Sequence, residues 1–306
     1  MNVTPNIEGI LPILHTPFDV NDKIDRDSLQ QEIDWAFEQS INGVCSAMVS
    51  EILRLTSEER VALNRLIVEM TADRGIVVAS VGAESTKQAV YFAKAAVDAG
   101  CDAIMAIPPI ATALPLAALQ KYFSTLADAV PVPLIVQDAS SYVGASIPTD
   151  FYVRLLDEYG PQKVLFKPEG APIGPNISNL RDASDGRACM FDGSGGILLI
   201  DAFRRGVIGT MPGIDLLDGI ATLWEALKNE DDATAYRIYF PICALVALQL
   251  QAGLDGFLAI EKYILVKRGV FKTARRREPH AWSLDPETEN EVDRLLALLL
   301  DALSAS

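Results

Sequence analysis

The segment Val164–Glu169 places two ionisable side chains at the end of an apolar run. The residues Val164-Leu165-Phe166 are typical of a buried strand, and such a strand normally stays apolar to its end. Lys167 therefore stands where a charged head costs free energy unless it is paired or loses its proton. One interpretation is a lysine that snorkels to solvent from a strand end. The other is an amine nucleophile for Schiff-base chemistry, with a pKa lowered by apolar surroundings.

Further polar residues follow other apolar runs and are candidates for general acid–base catalysis. Glu169 lies two residues beyond Lys167, so its side chain points the same way if the strand continues. The fifth apolar run ends in Gln137 and Asp138, and both are candidate catalytic residues by position. An amide cannot transfer a proton, so Gln137 needs a partner that can. The candidates for that proton shuttle are Glu169, Asp138, Glu51 and Tyr142.

Each of several polar candidates also has a structural interpretation. Glu51 can pair with Arg54 or a backbone N–H, and Asp138 can form an Asx turn. Asp192 precedes a glycine run that begins at Gly193, which lets backbone approach a ligand closely or makes a flexible loop before a helix. His15 also follows an apolar run, and a hydrogen-bonded structural histidine is the expectation there.

The elements that must position these residues alternate regularly between apolar runs and helical patterns. The runs are nearly continuous, as in parallel strands that are covered on both faces. Eight strand–helix units predict an α/β fold, a (β/α)₈ TIM barrel over residues 1–229. A doubly wound sheet is the alternative, but no Gly-x-Gly-x-x-Gly follows any strand. Strands are expected at residues 9–14, 43–49, 75–81, 101–107, 132–136, 164–167, 188–191 and 206–210, and helices at 28–40, 57–71, 85–99, 116–129, 149–159, 177–184, 197–205 and 216–228.

After residue 229 the pattern changes to helices alone. Helical stretches are expected at residues 231–251, 257–268 and 286–302, with a kink at Pro241. These predict a three-helix C-terminal extension over residues 230–306.

In a barrel of this type the active site lies at the C-terminal ends of the strands. Lys167 is the only lysine at any of the eight predicted ends, which favours the nucleophile interpretation. The other strand ends and the loops that follow them supply candidate substrate contacts, namely Val49, Ser50, Glu51, Tyr142, Asp192, Gly193, Gly209 and Thr210.

Composition argues against several classes of function. The 306 residues carry a net charge of -15, which weighs against nucleic acid or an anionic membrane surface as a partner. The four cysteines are dispersed without a CxxC or Cys/His cluster, so no metal site is expected. No signal peptide and no apolar run of about 18 residues is seen, so we expect no membrane span and a cytoplasmic protein.

Motifs along residues 7–300 resemble those of one known superfamily. They are Gly9-Ile10, Thr16-Pro17-Phe18, Gly43-Val44, Ser50-Glu51, Leu55–Arg60, Pro108-Pro109, Val136-Gln137-Asp138 and Phe166-Lys167-Pro168-Glu169. In order and spacing the chain resembles the dihydrodipicolinate synthase/N-acetylneuraminate lyase superfamily of class I, Schiff-base enzymes. The resemblance implies a barrel with C-terminal helices, a homotetramer, and a covalent imine between Lys167 and a small 2-keto acid, without a cofactor.

Four departures from the family pattern bear on the substrate. Residues Ala47–Glu51 replace the usual Gly-Thr-Thr-Gly-Glu loop, although the backbone N–H groups of Val49 and Ser50 could still hold a substrate carboxylate. The family's acid–base tyrosine aligns with Gln137, the tyrosine from a neighbouring subunit with Ala111, and the arginine for a distal carboxylate near Tyr142. These departures weigh against a dihydrodipicolinate synthase and a sialic acid lyase.

The remaining motifs resemble the branch that contains L-2-keto-3-deoxyarabonate dehydratase, although this chain lacks that branch's tyrosine near Ile110. The resemblance therefore implies a Schiff-base lyase that dehydrates a 2-keto-3-deoxy sugar acid. A retro-aldol lyase that releases pyruvate and a condensing enzyme similar to dihydrodipicolinate synthase are alternatives. A non-catalytic barrel kept for ligand binding is another, and the retained Lys167 argues against it.

Overall fold

Eight short parallel strands form the centre of the protein in the computed structural model, which describes residues 7–140 and 144–305. Each strand is buried along most or all of its length, as the apolar runs predict. The strands are β1 (Gly9–Ile10), β2 (Gly43–Cys45), β3 (Ile76–Ser80), β4 (Ala103–Ala106), β5 (Leu134–Asp138), β6 (Val164–Pro168), β7 (Phe191–Asp192) and β8 (Gly209–Thr210).

The strands close into a ring. Parallel ladders run in the order β2-β3-β4-β5-β6 and in the order β1-β8-β7. Single parallel bridges join the two ladders, from Ile13 to Cys45 on one side and from Phe166 to Met190 on the other. A closed ring of eight parallel strands is the (β/α)₈ barrel, so the predicted fold class is confirmed.

Helices follow the strands and cover the ring from outside. Several begin at side-chain caps, for example the capping box between Thr56 and Glu59. The barrel helices are α1 (Arg26–Phe37), α2 (Ser57–Thr71), α3 (Thr86–Ala99), α4 (Leu116–Ala129), α5 (Thr149–Tyr159), α6 (Ile173–Ala183), α7 (Leu199–Arg204) and α8 (Leu217–Lys228), and the helices after them are α9 (Asp232–Leu250), α10 (Gly253–Lys267) and α11 (Pro286–Ser304).

Alternation along each strand divides the apolar residues into two layers. The outer core lies between the strands and the helices and includes Val164 and Phe166. The inner layer fills the barrel itself and includes Leu165 and Ile135. Side chains at every second position of β5 and β6 therefore point to the barrel axis.

The helices after residue 229 pack as a group, with α9 in contact with α8, α10 and α11. By length and composition, α9 is the one described helix that is apolar enough to cross a bilayer. A core helix of this kind meets the same criteria, so α9 gives only weak support for a membrane span.

Several predicted element boundaries were wrong for local reasons. The strand expected at 43–49 ends at Cys45, because Met48–Ser50 forms a 3₁₀ turn in which the Ser50 hydroxyl bonds the Ala47 N–H and the Leu14 carbonyl. The first strand is interrupted at Pro12, which has no N–H for the ladder, and pairing resumes at Ile13.

Other helices begin earlier than predicted, among them α1 at Arg26, and most of the remaining strands are shorter or shifted. The sixth helix starts at Ile173, since Pro175 falls in the first turn, where no N–H is needed. The tenth starts at Gly253 despite two glycines in its first turn. The seventh strand, expected at 188–191, is Phe191–Asp192, and the eighth, expected at 206–210, is Gly209–Thr210.

Candidate active site

Lys167 and Gln137 point into the top of the barrel from neighbouring strands. They are direct partners in the β5–β6 register. Leu165 and Ile135, two residues earlier on the same strands, belong to the inner layer, so period-2 alternation directs both polar side chains to the axis. Lys167 is 3% exposed, which makes it a buried amine at a strand end rather than a lysine that snorkels into solvent.

Glu169 is the immediate partner of Lys167. Its Oε1 lies 3.3 Å from the Lys167 Nζ, and its Oε2 accepts a hydrogen bond of 2.6 Å from the Gln137 amide. Burial raises the pKa of Glu169, whereas Lys167 and Gln137 act to lower it. The raised pKa makes this carboxylate a stronger base than that of an exposed glutamate, which suits it to accept a proton from a substrate carbon.

A cavity opens above these three side chains. The 3₁₀ turn contributes Val49 to its wall, and the loops after β7 and β8 contribute Gly193 and Gly213. Helix α10 of the extension supplies another part of the wall, so barrel and extension together form the site. The described residues that line the cavity are Ile13, Ala47, Met48, Val49, Gln137, Lys167, Glu169, Gly193, Gly195, Met211, Gly213, Leu254, Phe257 and Glu261.

Gly193 has to lack a side chain for this arrangement to exist. A Cβ at this position would overlap both the Lys167 Cε and the Glu169 Oε1. The φ angle of Gly193 lies outside the left-handed region, so close approach and not backbone conformation requires the glycine here.

Asp138 and Asp192 are near the cavity but do not line it. Asp138 accepts hydrogen bonds from the Ser140 and Ile147 N–H groups, which matches the turn-forming interpretation. Asp192 is fully buried, accepts hydrogen bonds from the Ser194 N–H and the Thr210 hydroxyl, and has a pKa raised by burial. Both carboxylates organise loops around the site.

Gly209 and Thr210 also serve the barrel itself. A Cβ on Gly209 would overlap the Gly9 carbonyl across the β1–β8 ladder. Thr210 is fully buried, and its hydroxyl is used by Asp192. The structure therefore places neither residue on the cavity wall.

The residues of the loop after β2 have different roles, since some line the cavity and others stabilise the fold. Val49 lines the cavity, but the Ser50 N–H already donates to the Ala47 carbonyl and is not available to a substrate carboxylate. Glu51 forms a buried ion pair with Lys262 and accepts from the Arg277 N–H, so it fastens the extension to the barrel. The predicted candidate Tyr142 lies outside the described residues.

Two groups of site residues escaped the sequence analysis. Glu261, on α10, lines the cavity, and its Oε2 lies 2.6 Å from the Nε2 of the buried His15. Lys262, next in the chain, is fully buried and donates to the Thr16 carbonyl. Both lie in a helix far from the barrel strands in sequence, and the only available signal was two charges side by side in an otherwise apolar helical run.

Comparison with known proteins agrees with this architecture. The chain is 29% identical over 297 residues to the L-2-keto-3-deoxyarabonate dehydratase of Azospirillum brasilense, which covers 94% of this chain and 93% of that protein. It is 30% identical over 244 residues to the 4-hydroxy-tetrahydrodipicolinate synthase of Methanosarcina acetivorans, which covers 78% and 81% of the two chains.

Solved structures show the same fold. The 4-hydroxy-tetrahydrodipicolinate synthase of Methylacidiphilum fumariolicum SolV superposes with a TM-score of 0.88 at 22% identity, over 98% of each chain. The chain also matches the description of the Dihydrodipicolinate synthetase family over residues 6–298. Because that match spans nearly the whole chain, the protein belongs to the Dihydrodipicolinate synthetase family, as its motifs had indicated.

Proposed function

We propose that this protein is a Schiff-base lyase that dehydrates a 2-keto-3-deoxy sugar acid similar to L-2-keto-3-deoxyarabonate. The observation that carries the proposal is the buried Lys167 amine, which faces the cavity 3.3 Å from the Glu169 carboxylate. An amine in this setting adds to the C2 carbonyl of a 2-keto acid, and the resulting imine is an electron sink for the neighbouring carbon. The imine is covalent to Lys167, so this chemistry needs no cofactor.

Charge in the cavity supports a substrate with a single carboxylate. Among the described residues that line it, Lys167 is the one cation, whereas Glu169 and Glu261 are acids. A second, distal carboxylate would be buried beside these acids without a partner, which costs several kcal/mol. Hydroxyl groups, in contrast, can donate to carboxylates and to the Gln137 side chain.

The match to the L-2-keto-3-deoxyarabonate dehydratase of Azospirillum brasilense, which runs over nearly the full length of both chains, supports this substrate class. Condensation is the second candidate reaction, because other relatives are 4-hydroxy-tetrahydrodipicolinate synthases. Retro-aldol cleavage is a further candidate, because it proceeds through the same imine. The products distinguish the candidates, because cleavage releases pyruvate and an aldehyde, whereas dehydration gives a semialdehyde without pyruvate. The homotetramer stays a prediction from the family resemblance.

Borohydride trapping tests the nucleophile. The protein is incubated with pyruvate or L-2-keto-3-deoxyarabonate, reduced, digested and analysed by mass spectrometry, and the expected adduct lies on the Lys167 peptide. Lys167→Ala should lose the adduct, and Lys163→Ala, at the other end of the same strand, should keep it. Absence of an adduct in the wild-type protein with both keto acids would overturn the proposal.

A further inference from the structure

Glu261 presents one carboxylate oxygen to the cavity that contains Lys167. The residue lies on α10, is 2% exposed, and lines the cavity together with Gly213, which follows β8. A Cβ on Gly213 would overlap the Glu261 Oε1, so this oxygen fills the space that a side chain there would take. In the part of the chain that the structure describes, no hydrogen bond is donated to Oε1. This oxygen is therefore left to accept a hydrogen bond from an occupant of the cavity.

The other oxygen of Glu261 is held by a buried histidine. Its Oε2 lies 2.6 Å from the His15 Nε2, and the His15 Nδ1 lies 3.6 Å from the Glu32 Oε1. Burial alone would lower the pKa of His15, but Glu261 and Glu32 outweigh it and raise that pKa to about 9. The ring is therefore a cation at neutral pH, which supplies a countercharge to Glu261 and fixes the orientation of its carboxylate.

The negative charge at this wall of the cavity belongs to Glu261 and not to its neighbour Asp215. The Asp215 Oδ1 lies 3.1 Å from the point where a Gly213 Cβ would be, next to the Glu261 carboxylate. Burial and the negative charge of Glu261 raise the pKa of Asp215 to about 8, so Asp215 keeps its proton at neutral pH. Glu261 is thus an ionised carboxylate, which accepts hydrogen bonds and donates none.

Lys167 and Glu261 reach the cavity at different places around the ring of strands. A Cβ on Gly193, after β7, would overlap the Lys167 Cε, whereas the neighbour of Glu261 is Gly213, after β8. Strands β7 and β8 are paired, and paired strands lie about 4.8 Å apart. A 2-keto acid that is bound through C2 to Lys167 extends from the amine in two directions, with its carboxylate on one side and its tail on the other. The carboxylate is repelled by Glu261, so the tail is the part that faces Glu261.

We propose that Glu261 determines the substrate class: its Oε1 accepts a hydrogen bond from a hydroxyl group on the tail of the imine-bound keto acid and excludes a tail that ends in a carboxylate. This inference rests on the proposed function. His15 already supplies the opposite charge, so Oε1 needs a hydrogen-bond donor and not a second cation, which favours a hydroxylated tail over one with an ammonium group. Glu261 contacts the substrate, and His15 acts through Glu261 as a positioning residue.

Three 2-keto acids of equal carbon number test this selectivity in the wild-type protein. The tail of L-2-keto-3-deoxyarabonate carries hydroxyl groups, that of 2-oxopentanoate carries neither hydroxyl nor charge, and that of 2-oxoglutarate ends in a second carboxylate. The concentration that gives half-maximal Lys167 adduct after borohydride reduction measures the affinity for each. A hydrogen bond to a charged acceptor changes binding about ten- to a hundredfold, so L-2-keto-3-deoxyarabonate should bind tighter than 2-oxopentanoate by this factor, and 2-oxoglutarate should bind weakest. Wild-type protein that binds 2-oxoglutarate as tightly as L-2-keto-3-deoxyarabonate would overturn the inference.

Two variants then locate the selectivity at Glu261. Glu261→Gln keeps the shape of the side chain but removes its charge, so the preference for L-2-keto-3-deoxyarabonate over 2-oxoglutarate should fall about ten- to a hundredfold. Gly213→Ala displaces the Glu261 Oε1 without removing a charge, and it should lower the preference for L-2-keto-3-deoxyarabonate over 2-oxopentanoate. Pyruvate has no tail, so exchange of its methyl protons for deuterium, followed by NMR, should stay close to the wild-type rate in both variants. Glu69→Gln, an exposed glutamate on α2, is the matched control and should leave every affinity unchanged.

The outcomes separate this inference from the proposed function. Unchanged preferences in Glu261→Gln and Gly213→Ala would overturn the role of Glu261 and leave the lyase intact. An equal loss with pyruvate and with all three longer keto acids in both variants would also overturn it, since that pattern indicates a purely structural residue. A wild-type protein that neither exchanges pyruvate protons nor forms the borohydride adduct contradicts the proposed function itself.

Discussion

At the scale of single residues, the chemistry rests on how Glu169 is held. Gln137, which the family resemblance aligns with an acid–base tyrosine, donates to Glu169, so the amide orients a carboxyl group that can transfer a proton where the amide itself cannot. Burial raises the pKa of Glu169, which brings its titration closer to neutral pH than that of an exposed glutamate.

Replacement of Glu169 by glutamine should separate imine formation from proton transfer. We expect the Lys167 adduct with pyruvate to persist, while exchange of the methyl protons falls about a hundred- to ten-thousand-fold because the base is gone. In the wild type, exchange should fall as pH drops through the raised pKa of Glu169, since a base acts only when deprotonated. That acidic limb should vanish in the variant. Exchange that is unchanged in Glu169→Gln would remove Glu169 from this step.

At the scale of elements, α10 joins the extension to the barrel through a buried cation. Lys262 pairs with Glu51, donates to the carbonyls of Thr16 and Arg275, and lies 4.7 Å from the centre of the Phe18 ring. These partners belong to the first two strand–helix connections and to the loop after α10. A single side chain thus connects the start of the chain to its end.

Lys262→Met should destabilise the protein strongly. The variant leaves the buried Glu51 carboxylate without its closest cation and with only Arg54, at 4.0 Å, nearby, and loss of one partner of a buried ion pair costs about 3–5 kcal/mol. The free energy of unfolding in urea measures this loss. The double variant Lys262→Met with Glu51→Gln should recover part of it, because the unpaired Glu51 carboxylate is then replaced by a neutral amide. A single variant within about 1 kcal/mol of wild type would contradict the anchoring role, given the size of this penalty.

The strands of the barrel were readable from the sequence, whereas the contribution of the extension was not. Lys167 and Glu169 stand out because a period-2 apolar run ends in charge, and that signal is local. Glu51 was ambiguous because its partner Lys262 lies 211 residues away, and Glu261 is 246 residues from His15. No local pattern shows which helix face will close a cavity. The 3₁₀ turn at Met48–Ser50 was missed because one serine hydroxyl, not periodicity, decides it.

At the scale of the whole molecule, the buried acids and His15 make the folded state bind more protons than the unfolded chain. Burial raises the pKa values of Glu32, Glu169 and Asp192, and the pKa of Asp215 rises to about 8. Each of these acids holds its proton more tightly in the folded state than in the unfolded chain. Folding therefore becomes less favourable as the pH rises from the unfolded pKa toward the folded pKa of the group. His15 changes the stability in the same direction, because its stabilising positive charge is lost as the pH rises through its pKa of about 9.

Thermal unfolding should therefore show a melting temperature that falls between about pH 6 and pH 9. Carboxylates with lowered pKa values, such as Asp25 and Glu59, finish titrating below this range and do not contribute. Asp215→Asn should flatten the fall, because an amide can accept from Gln249 without needing a proton. A wild-type melting temperature that is constant or rises over this interval would contradict the proton count.

The origin of the cavity wall has a consequence for biosynthesis. Strand β6 with Lys167 leaves the ribosome well before Leu254, Phe257 and Glu261, which complete the wall. Protein chains are made from the N-terminus and their early parts begin to fold first. In a nascent barrel, Lys167 therefore lies in an incomplete cavity that is open to solvent. The complete cavity forms only when α10 has packed against the barrel. Truncated products that end before Leu254 therefore lack this part of the cavity wall and should be inactive.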